Sequence, residues 1–271
     1  MKNKKRKAVI DCYSTNWVHY DFNQCFTQRL RKDGDFDYYG YQNLSIGKSI
    51  KKPPRGIRLV YELATKYESV IFMIVNIRDV WKLILLRLFF VRVKYIVHKY
   101  NIRSYKKNIF NSFIWKMLKF FGITGLYLDL KPRGIDCFEK IEIGLFEGFL
   151  ESDPITPNSH ESIKRLILIG SPDGDKNIEF LRNYSKQKSI KVLNVTNSID
   201  EKGIFNRIEY DQYVPEPGDV IWGCYGEDEY TGIQSGLPFA AKEFSIPILT
   251  ISGVGIRDFE RLYRKWVIRV V

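Results

Sequence analysis

The chain has 271 residues, 45% of them hydrophobic, which is enough for one large core or two modest ones and excludes a globally disordered polymer. A net charge of +12 favours anionic partners: phosphorylated ligands, anionic lipid or nucleic acid. Four scattered cysteines without a C-x-x-C pair, and only three histidines, argue against a zinc site or a disulfide framework and suit a reducing cytosol.

Met1–Lys7 is basic, and the apolar run behind it is too short for a signal-peptide core. Lys7–Tyr13 then reads as a strand and Asn16–Arg31 as a helix, with Trp17, Tyr20, Phe26 and Leu30 near helical spacing. Ser14, Thr15 and Asn16 fall in the first βα loop, where ligand contacts or helix caps are expected. Asp35–Gly56 predicts a short strand and a mobile loop. Gly47-Lys48-Ser49 resembles the end of a P-loop, but Gln42 stands where that motif needs glycine. Gly56–Tyr67 predicts a helix, and Ser69–Ile77 a strand covered on both faces.

Asp79–Phe90 is long and apolar, and with the following residues it is interrupted by Lys82, Arg87, Arg92 and Lys94. A helix and a strand, Val91–Val97, are expected rather than a membrane span. His98 would stand at that strand's carboxyl end. Asn108–Phe121 predicts an amphipathic helix with Phe110, Phe113, Ile114, Met117, Leu118 and Phe121 on the core face. Trp115 falls well off that stripe, as do Lys116 and Lys119. An outward tryptophan among lysines, with Trp81 and Arg87 on the neighbouring basic helix, predicts contact with an anionic membrane surface.

Gly125–Leu130 and Lys140–Leu145 read as further strands, and Ser152–Ser159 as a linker between domains 1–151 and 160–271. The α/β rhythm then restarts. Arg165–Ile169 is a strand, Gly170–Asn177 a turn, Ile178–Lys188 a helix and Ile190–Val195 a strand. Asp219–Tyr225, Gly226–Gly236, Leu237–Phe244 and Ile246–Ile251 read as strand, polar loop, helix and strand. Ser235 is the expected N-cap and Pro238 sits in the first turn. The helix start can receive a phosphate, and Glu227 and Glu229 in the loop can bind ribose or sugar hydroxyls.

The layout resembles the GT-B glycosyltransferases, the family-4 and family-1-like enzymes built from two Rossmann-like domains facing a cleft. IQSGLPFAAKEFSIPILT is similar to the segment whose amides meet the donor diphosphate there. GSPDGDKN is similar to the loop after the first C-terminal strand, and YIVHKYN to the cleft-facing histidine segment. The resemblance implies transfer of a sugar from a nucleoside-diphosphate sugar to a lipid-linked glycan acceptor in cell-surface polysaccharide synthesis. It implies no cofactor and no metal. Gly170, Asp173, Lys176, Glu227, Glu229, Gln234, Ser235 and Gly236 become donor-side residues. His98 and Asp11 become catalytic candidates, and the enzyme is expected on the cytoplasmic face of the plasma membrane.

Some features depart from the family pattern. Its paired glutamates would fall at Gly232 and Ala240, no arginine accompanies Lys176, and the chain ends on Val267–Val271 as a short or truncated member would. Two alternatives follow: a non-catalytic membrane-associated scaffold of the same fold, or a basic nucleic-acid-binding protein. No nucleic-acid-binding signature is present to favour the latter. A nucleotide-sugar epimerase is a weaker third.

Overall fold

The computed structural model describes residues 7–14, 19–45, 50–128, 135, 137–156, 159–170, 176–196, 205–225 and 235–270, with the backbone alone at Ile50 and Lys99. The chain divides into two compact units, Met1–Leu145 and Phe146–Val271.

The first unit contains β1 (Lys7–Ile10), α1 (Tyr20–Lys32), β2 (Phe36–Tyr39), β3 (Ile50–Lys51), α2 (Ile57–Lys66) and β4 (Ser69–Phe72). It continues through α3 (Val80–Leu88), β5 (Arg92–Ile96), α4 (Lys99–Lys107), α5 (Ile109–Phe120), β6 (Thr124–Tyr127) and β7 (Phe138–Lys140). Its strands form one seven-stranded sheet, ordered β3-β2-β1-β4-β5-β6-β7, with every pairing parallel. The second unit contains β8 (Arg165–Ile169), α6 (Ile178–Lys188), β9 (Lys191–Val195), β10 (Asn206–Ile208) and β11 (Asp219–Trp222). After these come α7 (Leu237–Phe244), β12 (Ile248–Thr250), α8 (Arg257–Leu262) and β13 (Val267–Arg269). Its six-stranded parallel sheet runs β10-β9-β8-β11-β12-β13.

Each sheet has the doubly wound Rossmann order, the first with one strand added. The chain switches direction across the sheet between β1 and β4, and again between β8 and β11. Ligands of such sheets bind at the carboxyl ends of those strands, so the fold marks one candidate edge in each unit.

The strands at the centre of the second sheet are apolar because both of their faces are covered. All four residues of β11 are buried, and Leu166, Ile167 and Leu168 of β8 are fully enclosed. The second core gathers Leu166, Leu168, Leu181, Val220, Trp222 and Leu249. In the first unit, α2 buries Leu59, Val60, Leu63 and Ala64, and α3 buries Val80, Leu83 and Leu86. Each of these leucine and valine side chains contributes about 1.5–3 kcal/mol on burial.

Three expectations change. The segment read as a linker is built into the second unit up to Thr156. The buried Thr156 hydroxyl donates to the Asp219 carbonyl at 2.9 Å and accepts from the Gly218 amide at 3.0 Å. Lys140–Leu145 holds only the end of β7, and Gly144 turns the backbone at φ 56°. The helix α4 is a new element. It is mostly polar and, among its described side chains, buries only Asn101 and Ile102, so no apolar stripe announces it.

Candidate functional site

The switch point of the first unit is organised by Asp11, which is fully buried at the end of β1. Its Oδ1 accepts the amides of Tyr13 (3.0 Å) and Ser14 (2.9 Å), and its Oδ2 accepts Asn23 Nδ2 at 2.7 Å. Asn23 also donates to Gln42 Oε1 at 2.8 Å, so a buried chain of polar groups ties β1, α1 and the segment after β2 together. The loop after β1 is thus shaped by one carboxylate holding successive amides, as an Asx turn does.

His98 stands at the carboxyl end of β5, as the sequence predicts. Its Nε2 lies 2.7 Å from the Met73 carbonyl, an acceptor only, so Nε2 carries the proton. The Asn101 carboxamide accepts from the His98 amide and donates to the Val75 carbonyl, both at 2.8 Å, which joins the ends of β4 and β5. The imidazole stacks on Tyr100 at 5.9 Å and lies 5.6 Å from the His19 ring. Burial, with His19 beside it, pushes the His98 imidazole down to about 4, against the pull of the Met73 carbonyl and Asp11.

This depressed value predicts a pH dependence. The neutral imidazole is favoured in the fold, so its contribution to stability is complete above pH 6.5 and is lost as pH falls from 6.5 towards 4. The loss is roughly 3 kcal/mol. Urea unfolding between pH 7 and 4 should show a steeper decline for the native protein than for His98→Gln. Parallel curves would show that His98 is not held neutral.

Ser14 Oγ and Tyr38 OH are also buried near this edge and have no hydrogen-bond partner among the described residues. Cys12, beside Asp11, is pushed up to about 12, mainly by burial, so its thiol is not a nucleophile at neutral pH. Thr15 and Asn16, named with Ser14 from the sequence, lie outside the described residues. The sequence reading missed Asn23, Gln42 and Asn101. The one available signal was Asn23, a polar residue three before Phe26 on the buried side of α1.

In the second unit, Gly170 ends β8 at φ 78°, a backbone that favours glycine. Lys176 reaches back over it. Its Nζ donates to the Ile169 carbonyl at 2.5 Å and would lie 3.2 Å from a Cβ placed on Gly170. The Lys176 carbonyl accepts Trp222 Nε1 at 2.7 Å, which anchors the lysine backbone to β11. A buried cation therefore sits at the end of β8, next to the strand that leads to α7.

The N-cap of α7 is Gly236 rather than Ser235, one residue later than expected. Ser235 Oγ accepts the Leu237 amide and donates to Tyr225 OH, each at 3.1 Å. Pro238 has no N–H, and the Phe239 amide turns back to the Gly236 carbonyl at 3.1 Å. Much of the donor capacity at this helix start is therefore used internally. Gly236 itself is exposed, and a Cβ built on it meets nothing within 4 Å among the described residues. Asp173, Glu227, Glu229 and Gln234 lie outside the described residues.

No family model and no curated protein matches the chain. Among solved structures it is similar to a D-2-hydroxyisocaproate dehydrogenase, at 8% identity over 96% of this chain and 76% of that one, with a TM-score of 0.23. A likeness so slight carries no argument about activity.

The residues predicted to meet a membrane divide. Lys116, Lys119 and Trp81 are exposed, Trp81 beside Lys82, and Arg87 is half-buried with Nε donating to the Phe121 carbonyl at 2.9 Å. Trp115 is a correction: it is buried, its ring lies 5.8 Å from Tyr95, and Nε1 donates to Ser104 Oγ at 3.2 Å. Conversely Phe110 and Phe113, assigned to the core, are exposed. The helix is rotated from the expected phase because Tyr95 and Ser104 offer the indole both a ring to pack on and an acceptor for its N–H. Among the described residues no helix is long and apolar enough to cross a membrane.

Proposed function

We propose that the protein is a glycosyltransferase of GT-B type, moving a sugar from a nucleoside-diphosphate sugar to a lipid-linked glycan acceptor. The observation that carries this reading is the switch point of the second sheet. Lys176 is fixed over Gly170 at the end of β8, and the neighbouring strand leads to the exposed backbone at Gly236. As the glycosyl bond breaks, negative charge gathers on the departing diphosphate. A fixed cation stabilises that charge without reorganising, and the exposed Gly236 backbone leaves the helix start approachable. The first unit would hold the acceptor along the edge shaped by Asp11 and His98. Their hydrogen bonds fit positioning: three donors occupy the Asp11 carboxylate, and a carbonyl holds the His98 Nε2 proton.

The test is thermal stabilisation by UDP, GDP, dTDP, CMP and their sugar conjugates. A ligand at 100 times its dissociation constant should stabilise the fold by roughly 2.7 kcal/mol. Gly236→Trp, which covers the exposed helix start, and Lys176→Ala should each abolish a selective shift. No shift with any nucleotide, in a protein that melts cooperatively, sinks the transferase reading and favours the scaffold.

A further inference from the structure

The helix α5 is apolar on two opposite sides. Trp115 and Leu118 enter the core. Ile109, Phe113 and Phe120, at helical spacings of four and seven, share the other side and are 90%, 61% and 86% exposed. Beside them α3 ends in Leu88, Phe89 and Phe90, all exposed, with Phe90 at 88%. The bond from Arg87 to the Phe121 carbonyl, at 2.9 Å, brings the carboxyl ends of the two helices together, so Phe120 and the Leu88–Phe90 turn belong to neighbouring ends. Phe90 has φ 61°, the left-handed turn that ends α3, with the Val91 amide returning to the Leu86 carbonyl at 3.1 Å.

Charge selects the partner of this face. Residues 80–128 contain ten Lys or Arg and no Asp or Glu. Lys116 lies on the exposed stripe between Phe113 and Phe120, and Lys119 on the same helix is also exposed. We propose that the outer stripe of α5 and the Leu88–Phe90 end of α3 dock on an anionic lipid bilayer. The apolar side chains enter the boundary between headgroups and acyl chains, and the cations meet lipid phosphates. A second copy of this chain would set two basic faces against each other. A nucleic acid would match the charge but offer no apolar layer to the phenylalanines. The proposal deepens the transferase reading by stating how a lipid-linked acceptor comes within reach.

The test is co-sedimentation with vesicles in the absence of nucleotide, so its outcome is separate from that of the nucleotide experiment. The full chain should bind vesicles of phosphatidylcholine mixed with phosphatidylglycerol, and bind phosphatidylcholine alone about tenfold or more weakly, with high salt weakening the former. Phe90→Ser, and Phe113→Ser with Phe120→Ser, should each lower binding about tenfold or more while leaving the melting temperature near that of the native protein. Tyr61→Ser, an exposed aromatic on α2, should bind as the native protein does. Three results overturn the proposal. The native chain stays in the supernatant with mixed vesicles, the phenylalanine variants bind undiminished, or the native chain is a dimer that those variants dissociate.

Discussion

Replacing Asp219 with alanine is expected to cost about 3–5 kcal/mol of folding stability, the loss typical of breaking a buried ion pair from one side. Asp219 begins β11 and is 1% exposed. It faces Arg165 at the start of β8 in register, and the guanidinium meets it as a fork, with Nε–Oδ1 at 2.6 Å and Nη2–Oδ2 at 2.7 Å. Oδ2 also accepts Tyr213 OH at 2.7 Å and the Glu216 amide at 2.9 Å. Its carboxylate pulls the Arg165 guanidinium up, and burial and that same contact push the Tyr213 phenol up. Alanine leaves the guanidinium with Glu216 as its remaining described acidic partner, at 3.1 Å, and orphans a buried phenol. Urea unfolding measures the loss, and hydrogen exchange at the β8 and β11 amides should place it in the second unit. Because Asp219 lies at the amino end of β11, away from Gly170 and Gly236, nucleotide affinity below the melting range should not change. A loss under about 1 kcal/mol would mean that solvent replaces the network.

Trp115→Ala is expected to cost about 3–5 kcal/mol, as truncation of a buried tryptophan does. The indole is 1% exposed, packs on Tyr95 of β5 and donates to Ser104 of α4, so the cavity would open where α4, α5 and the sheet meet. Trp115→Phe keeps the ring contact and loses the hydrogen bond, a cost of about 1 kcal/mol from that bond. Phe113→Ser, two residues earlier on the exposed side, should stay within about 0.5 kcal/mol of the native protein. The reversed order, with Phe113 costly and Trp115 neutral, would return the helix to the phase its apolar pattern predicts. Denaturation of the three variants by urea decides it.

The alternation of strands and helices was legible because a strand covered on both faces must be a short apolar run. RLILI, DVIW and SVIF meet that condition at β8, β11 and β4. Gly170 and Lys176 after β8 were legible for a related reason: the loop that leaves a parallel strand favours glycine and ligand-facing polar residues wherever it lies in the fold. Strand order was not, since neighbours such as β1 and β4 lie about sixty residues apart in sequence, and their pairing depends on how the helices pack. The phase of α5 was not either. A helix with phenylalanines on one side and tryptophan and leucine on the other has no single apolar face, and Tyr95 and Ser104 choose between them. The sequence by itself determined the class of fold, the number of units and the excess of positive charge, because these follow from periodicity and composition. Only the tertiary structure decided that Asp11 holds a loop, that Asp219 holds two strands and that Phe90, Phe113 and Phe120 stay exposed. A carboxylate's role is set by the donors that surround it, and an aromatic's by whether anything packs on it.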